Sequence, residues 1–329
     1  MAKKIKILSI DGGGIRGVLP ATLMAEIEKR TGKAIAELFD LIAGTSTGGI
    51  LALGATKPAG RVKGKKDKPQ YTAEDMVGLY ETEGQRIFSR SPWRTVRSLG
   101  GVLDELYPSE GIETVLEEYF GDARLSEAVT DVLVPSYEIE SRTPLFFKSR
   151  KARESAADDY LMRHAARATS AAPTFFEPAH IKSKSRAYSL VDGGVVANNP
   201  AMCAYAEIRR HNPDVNDILI VSLGTGDPTR PLPLDKAKDW GMAEWVVPLF
   251  SVFLDGMDDS VDYQLQHILA TPPKNPRRYY RFQVKLNEGN DNIDDASRTN
   301  VRVLKMIADE VIKGNNATFD EMCKQLTEA

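Results

Sequence analysis

The first sixty residues contain one short pattern twice, and no other feature of the sequence constrains the fold as strongly. Each copy is a stretch typical of a β-strand, a glycine-rich turn and a stretch with the apolar spacing of a helix. The copies occupy residues 4–10, 11–17 and 19–30, and then residues 39–43, 44–49 and 50–55. Repeated strand–turn–helix units predict an α/β fold with a mostly parallel sheet flanked by helices.

The rest of the chain is predicted to continue this architecture. A helix is expected from Thr72 towards Phe88, because Thr72 followed by Asp75 is a helix N-cap pattern. Further strands are predicted at residues 132–136, 145–148, 188–191, 218–223 and 279–284, and further helices at 160–169, 201–210, 244–269, 294–312 and 318–326. We expect a single domain over residues 1–329, in which residues 201–329 complete a core of about residues 5–200.

Charge and cysteine content argue against several classes of function. The formal net charge is −3 and the pI is about 5.9, so the chain lacks the overall basic field that DNA or RNA binding relies on. The two cysteines, Cys203 and Cys323, do not have the spacing of a disulfide framework or a metal site. No export signal and no membrane span are predicted. We therefore expect a cytoplasmic protein with no metal and no cofactor.

Residues 44–48, Gly-Thr-Ser-Thr-Gly, fit the G-x-S-x-G pattern of a nucleophile elbow. The motif follows a predicted strand and precedes a predicted helix. In that position a serine hydroxyl is held above the sheet, and the helix N-terminus favours developing negative charge. Ser46 is therefore the candidate nucleophile; the alternative is a plain turn of small residues.

Residues 11–17, Asp-Gly-Gly-Gly-Ile-Arg-Gly, offer a row of unobstructed backbone N–H groups ahead of a helix. Such a row can form an oxyanion hole, and the arginine adds positive charge. The same glycines fit a dinucleotide fingerprint, so the alternative is a nucleotide-responsive binding or signalling protein whose loop holds phosphate. That fingerprint also requires an acid at the end of the next strand, where none occurs. The candidate oxyanion-hole residues are Gly12, Gly13, Gly14 and Arg16.

A third motif, Asp192-Gly193-Gly194, follows the predicted strand at residues 188–191. An acid at the carboxyl end of a strand lies at the edge of the sheet where active sites of such folds gather. Asp192 is therefore the candidate partner of Ser46. The alternative is an ordinary turn residue before glycine.

Together the three motifs resemble the patatin-like phospholipase family, whose hallmarks are a D-G-G-G-x-[RK]-G loop, a G-x-S-x-G elbow and a later D-G-[GA]. Further similarity lies in residues 170–176, 198–200, 222–226 and 294–297 and so covers nearly the whole chain. The resemblance implies a three-layer α/β/α sandwich and a metal-free phospholipase A-type acyl hydrolase of membrane glycerophospholipids, with a Ser46–Asp192 dyad. Some compact bacterial members are anti-phage effectors switched on by cyclic oligonucleotides. This chain resembles them in length, which makes such an activator and antiviral defence candidate properties.

Several other features allow more than one interpretation. Residues 240–257 are either a core helix or a lid, a subunit contact in a homo-oligomer or a shallow membrane anchor. Basic stretches at residues 61–68 and 86–97 are either solvated or contacts for lipid headgroups. Without a span, the active protein is expected to associate peripherally with the inner membrane surface. A histidine could still complete a triad with Ser46. The four histidines are His164, His180, His211 and His267.

Overall fold

A computed structural model describes residues 4–60, 68–88, 107–182, 186–228, 231–272, 275–287 and 290–328. The strands are β1 (Ile5–Ile10), β2 (Leu41–Gly44), β3 (Asp131–Glu138), β4 (Thr143–Lys148), β5 (Ala179–Lys182), β6 (Ala187–Asp192), β7 (Ile218–Leu223), β8 (Asp227–Pro228), β9 (Tyr279–Phe282) and β10 (Lys285–Leu286). The helices are α1 (Val18–Thr31), α2 (Ile35–Leu38), α3 (Thr47–Thr56), α4 (Ala73–Ile87), α5 (Ser109–Phe120), α6 (Ser149–Glu154), α7 (Met162–Thr169), α8 (Gly194–Ala197), α9 (Ala201–His211), α10 (Leu234–Ala237), α11 (Met242–Ile268), α12 (Arg298–Gly314) and α13 (Asn316–Thr327).

One large sheet organises the molecule, in the order β5-β6-β3-β2-β1-β7-β9, with β4 beside β3. The central pairs β3–β2, β2–β1, β1–β7 and β7–β9 are parallel, whereas β4, β5 and β6 pair antiparallel to their neighbours. The mostly parallel sheet predicted from the repeated strand–turn–helix unit is confirmed. Strands β7 and β9, from the last third of the chain, lie in the same sheet as β1.

Helices cover both faces of this sheet. In β1, Leu8 and Ile10 belong to the large core beneath α1, α3 and α4, whereas Ile5 and Ile7 belong to a second core with α9 and α11. Successive side chains of a strand point to opposite faces, so the two cores lie on opposite sides of the sheet. The molecule is therefore a three-layer α/β/α sandwich, and burial on both faces explains why β1 carries apolar residues on both sides of the sheet.

Most predicted elements are present, with different ends where a local hydrogen bond sets the boundary. Strand β7 has the predicted bounds, and Thr72 caps α4 by accepting from the Asp75 N–H at 3.2 Å. Helix α12 begins at Arg298 rather than at residue 294, because Ser297 is its cap and accepts from the Asn300 N–H. Strands β5 and β6 form an unpredicted hairpin, and α5 was also not predicted.

Helix α11 is the longest helix among the described residues, and it contacts α8, α9 and β9. It corresponds to most of the apolar segment at residues 240–257. On its outer side, Leu249, Val252 and Phe253 are exposed, with Phe253 at 60%. None of the helices in the described part of the chain combines the length and apolar character needed to cross a membrane. The basic stretch at residues 61–68 and most of the one at residues 86–97 lie outside the described residues.

Candidate active site

The tight turn between β2 and α3 holds Ser46 in an unusual backbone conformation. Ser46 has φ 52° and ψ −121°, which a residue other than glycine keeps only where the surrounding structure enforces it. A Cβ atom on Gly44 would collide with the Gly48 carbonyl oxygen, and one on Gly48 would collide with that of Ile10. The glycines of the motif are therefore required by close backbone approach. They leave Ser46 half-buried at the N-terminus of α3.

Ser46 and Asp192 are directly hydrogen-bonded. The Ser46 Oγ donates to Asp192 Oδ2 at 2.6 Å, and the Gly194 N–H donates to Asp192 Oδ1 at 2.7 Å. Asp192 lies at the end of β6 and is only 5% exposed. Burial raises the pKa of its carboxyl group from 3.8 to about 7, although both hydrogen bonds favour the ionised form. A carboxylate with such a pKa can accept a proton near neutral pH.

The end of α7 and the residues that follow it fix the positions of both side chains. The Ser46 N–H donates to Thr169 Oγ1 at 2.9 Å, and the Gly193 N–H donates to the Thr169 carbonyl at 3.2 Å. The Asp192 N–H donates to the Ala171 carbonyl at 2.9 Å. Residues 169–171 thus join the elbow to the end of β6, which gives a structural role to part of the 170–176 motif. Sequence analysis did not identify Thr169 because nothing in its local pattern points to Ser46.

The glycine loop after β1 lies beside Ser46. A Cβ atom on Gly12 would be 3.4 Å from the Ser46 Cβ. The Gly12 N–H donates to the Asn198 carbonyl at 3.1 Å, and its carbonyl accepts from Thr225 Oγ1 at 2.6 Å, so in this structure Gly12 shapes the loop and its N–H is engaged. Among the hydrogen bonds of the described residues, none uses the N–H of Gly13 or Gly14.

Arg16 is buried among acids at one end of this loop. Its Nε donates to the Gly13 carbonyl at 3.4 Å, and its Nη1 has no partner among the described residues. Burial lowers the pKa of the guanidinium group, and four nearby carboxylates oppose that effect. Those acids are Asp255, Asp227, Asp291 and Asp258. Within the described residues Arg16 makes no hydrogen bond to Ser46 or Asp192, and its link to the glycine loop is the bond to the Gly13 carbonyl.

A buried ion pair lies behind the glycine loop. Arg281 on β9 contacts Asp11 Oδ2 at 2.6 Å and donates to Ser222 Oγ on β7 at 3.0 Å. Burial raises the pKa of the Asp11 carboxyl group to about 6, against the effect of the arginine. Because an unpaired buried carboxylate is costly, Asp11 needs a cation. The sequence does not identify that cation, since β9 comes far later in the chain.

A cavity of about 350 Å³ opens onto Ser46 and Asp192. One part of its wall is apolar and the part near Arg16 is acidic. The apolar wall includes Ile15, Ile50, Leu79, Ile87, Phe175 and Phe176, and the acidic wall includes Asp227, Asp255, Asp258 and Asp291. Across the described ranges, no group of three or more His, Cys, Asp or Glu side chains is arranged to hold a metal ion. The apolar wall is suited to an aliphatic chain beside the serine hydroxyl.

The histidines lie away from the Ser46–Asp192 pair. His180 is exposed on the outer strand β5, His211 pairs with Glu207, and His267 contacts the Tyr263 carbonyl. His164 is half-buried on α7. All four belong to the described residues, and none lines the cavity or bonds to Ser46 or Asp192. The geometry therefore favours the dyad over the triad alternative.

Comparison with known proteins gives one consistent result. The family model described as patatin-like phospholipase matches residues 8–205. "Patatin-like protein 2" from Oryza sativa subsp. indica is 30% identical over 357 residues, covering 97% of this chain and 86% of the relative. "Patatin-T5" from Solanum tuberosum is 28% identical, with 99% and 92% covered. Among solved structures, "Human GIVD cytosolic phospholipase A2" is 10% identical, and the alignment covers 98% of this chain and 60% of that protein's chain. Its TM-score is 0.47, a likeness too weak to add to the family match.

Proposed function

The chain belongs to the patatin-like phospholipase family and is a lipid acyl hydrolase, and from this premise we propose that Ser46 is its nucleophile and Asp192 its general base. One observation carries the proposal: the 2.6 Å hydrogen bond from the Ser46 hydroxyl to a carboxylate whose pKa burial raises to about 7. A serine hydroxyl is a weak nucleophile unless a neighbouring base removes its proton, and Asp192 is within reach to do so.

The reaction proceeds through an acyl-enzyme. As the Ser46 Oγ attacks the ester carbonyl carbon, its proton passes to Asp192 Oδ2. The tetrahedral intermediate collapses when the bond to the alcohol oxygen breaks, and Asp192 returns the proton to that leaving alcohol. A water molecule then attacks the acyl group by the same route, with Asp192 again accepting and returning a proton. The cycle ends with a free fatty acid and a regenerated Ser46 hydroxyl.

The glycine loop supplies the oxyanion hole in this proposal. The N–H groups of Gly13 and Gly14 are the donors, because that of Gly12 is engaged by Asn198. Arg16 contributes by its charge and by its bond to the Gly13 carbonyl. The N-terminus of α3 adds a favourable dipole at the reacting carbon.

Membrane glycerophospholipids are the proposed substrates. The apolar cavity wall accommodates one acyl chain beside Ser46. The exposed apolar side chains of α11 provide a surface for peripheral binding at the inner face of the membrane, where shallow insertion of aromatic and aliphatic groups stabilises association. The two free cysteines, Cys203 and Cys323, are compatible with a reducing cytoplasm.

Three further properties belong to the same proposal. A cyclic oligonucleotide activates the enzyme during anti-phage defence, by analogy with compact bacterial family members of similar length. Residues 1–329 form a single domain, for which the shared sheet of β1, β7 and β9 is the support. The protein forms a homo-oligomer. A rate of hydrolysis that does not change with added cyclic dinucleotides or trinucleotides would contradict the activation proposal. Light scattering measures the molar mass in solution, and a monomer mass would contradict the homo-oligomer.

The central test compares wild-type protein with Ser46→Ala on phospholipid vesicles, with lipidomics to identify released fatty acids and lysolipids. Wild-type protein should release fatty acid and the variant should not. Ser251→Ala is a matched control, because Ser251 also lines the cavity but its hydroxyl bonds, among the described residues, only to the Pro248 carbonyl. A fluorophosphonate probe should label wild-type and Ser251→Ala protein and leave Ser46→Ala unlabelled. Retained hydrolysis in folded Ser46→Ala would refute the nucleophile assignment.

A further inference from the structure

Asn198 lies where the glycine loop meets the turn after Asp192. Its backbone carbonyl accepts the Gly12 N–H at 3.1 Å. Its side-chain Oδ1 is so close to Gly12 that a Cβ atom there would collide with it, and it would lie 3.3 Å from a Cβ atom on Gly194. Asn198 is buried, with 9% of its surface exposed. Its side chain is thus wedged between the loop that carries the oxyanion donors and the turn that carries the base.

The orientation of that amide is set from another element. The Asn198 Nδ2 donates to Asp258 Oδ2 at 2.7 Å, and Asp258 belongs to α11. Burial, reinforced by the negative charge of Asp11, raises the pKa of the Asp258 carboxyl group to about 8. One turn earlier in the helix, Leu254 would contact a Cβ atom on Gly194 at 3.6 Å. Helix α11 therefore contacts both the Asn198 amide and the turn after Asp192, although it supplies no reacting group.

We propose that Asp258 is a positioning residue, which holds the Asn198 amide and through it the Gly12 peptide and the two N–H groups that follow. The inference rests on the proposed function, because it assigns those N–H groups to the oxyanion. It follows from the connectivity: Asn198 is the hydrogen-bonded link between α11 and the glycine loop. Without its acceptor on Asp258, the Asn198 amide would leave a buried donor unsatisfied and would reorient.

The test is steady-state hydrolysis of a soluble short-chain ester by three purified, full-length variants. Asp258→Ala should lower kcat by up to about 10²-fold, the effect of displacing a catalytic group by about 1 Å, while KM changes little. Asp258→Asn should recover most of that rate because its amide oxygen still accepts from Asn198. Asp259→Ala is the matched control: Asp259 is the next residue of the same helix, is exposed and should behave as wild type.

A double substitution tests whether Asp258 acts through Asn198. If it does, Asn198→Ala with Asp258→Ala should be no slower than Asn198→Ala alone, since the supported group is already absent. The inference would be overturned if the double variant showed the product of the two single losses in kcat. It would also be overturned if Asp258→Ala left kcat unchanged, or if Asp258→Asn lowered kcat as much as Asp258→Ala does. If circular dichroism shows that Asp258→Ala does not fold, Asp258→Leu takes its place, because it fills the volume without an acceptor.

Fluorophosphonate labelling of the same proteins separates the two proposals. Wild-type protein that is neither labelled nor hydrolytic, both with and without added cyclic oligonucleotides, would refute the proposed function. Wild-type protein that is labelled and hydrolytic, with Asp258→Ala equally fast in both assays, would refute the role of Asp258 alone.

Discussion

Replacing Asp192 with asparagine should make the protein more stable and almost inactive. Asparagine keeps the size of the side chain and an oxygen that can accept from Gly194, but it does not accept the Ser46 proton. Loss of a general base typically costs about 10²–10⁴-fold in rate, and we expect kcat to fall within that range. In wild-type protein the rate should fall as the pH drops through about 7, because protonated Asp192 is not a base.

The magnitude of the stability change follows from burial. The carboxyl group titrates at about 7 in the folded protein and near 3.8 when solvated. Its folded pKa is raised, so its contribution to the free energy of unfolding is fully present below pH 3.8 and is lost as the pH rises to about 7. The loss amounts to about 4 kcal/mol. Asparagine has no such loss, so the stability of the variant relative to wild type should increase by roughly that amount between pH 4 and pH 8.

Urea unfolding of the two proteins at a series of pH values measures this difference. The other titrating groups are the same in both proteins, so their contributions to the free energy of unfolding cancel in the comparison. A stability difference that stays constant with pH would refute the raised pKa of Asp192. Asp192→Asn protein that keeps most of its hydrolytic rate would show that Asp192 is a turn residue and that the base lies elsewhere.

Four further outcomes are expected. Ser46→Ala should fold normally by circular dichroism and lose ester hydrolysis. Gly13→Ala should lower kcat by about 10²–10³-fold with a smaller effect on KM, because its methyl group would collide with Thr225 and displace the loop; a change in KM alone would instead indicate a substrate-binding role. Phe253→Ser should reduce sedimentation with anionic vesicles whereas Met306→Ser, on an exposed side chain of α12, should not, and equal behaviour of the two would contradict membrane binding through α11. Single alanine substitutions of the histidines should spare hydrolysis, and a folded variant as slow as Ser46→Ala would establish a triad; they are His164, His180, His211 and His267.

Sequence reasoning identified the features that are set by residues close together in the chain. The elbow around Ser46 is recognisable because one tight turn imposes glycine on both sides of the serine. Strand β1 was found because residues 4–10 alternate in the manner of a strand, which is a local pattern. The partners of these motifs were not found: Arg281 and Asp258 lie on elements that come much later in the chain, and nothing in their local sequence marks them. For the same reason the sequence could not show that a distant carbonyl engages the Gly12 N–H.

The position of β1 in the sheet limits how far the chain could be shortened. A fragment ending near residue 205, where the family model stops, would keep Ser46 and Asp192 but lose β7 and β9. Strand β1 would then lie at the open edge of the sheet, with the row of backbone groups that pairs with β7 from Ile5 to Ile10 left unbonded. An apolar strand with a free edge is a template for pairing with other chains. Such a fragment should aggregate although it contains both proposed catalytic side chains.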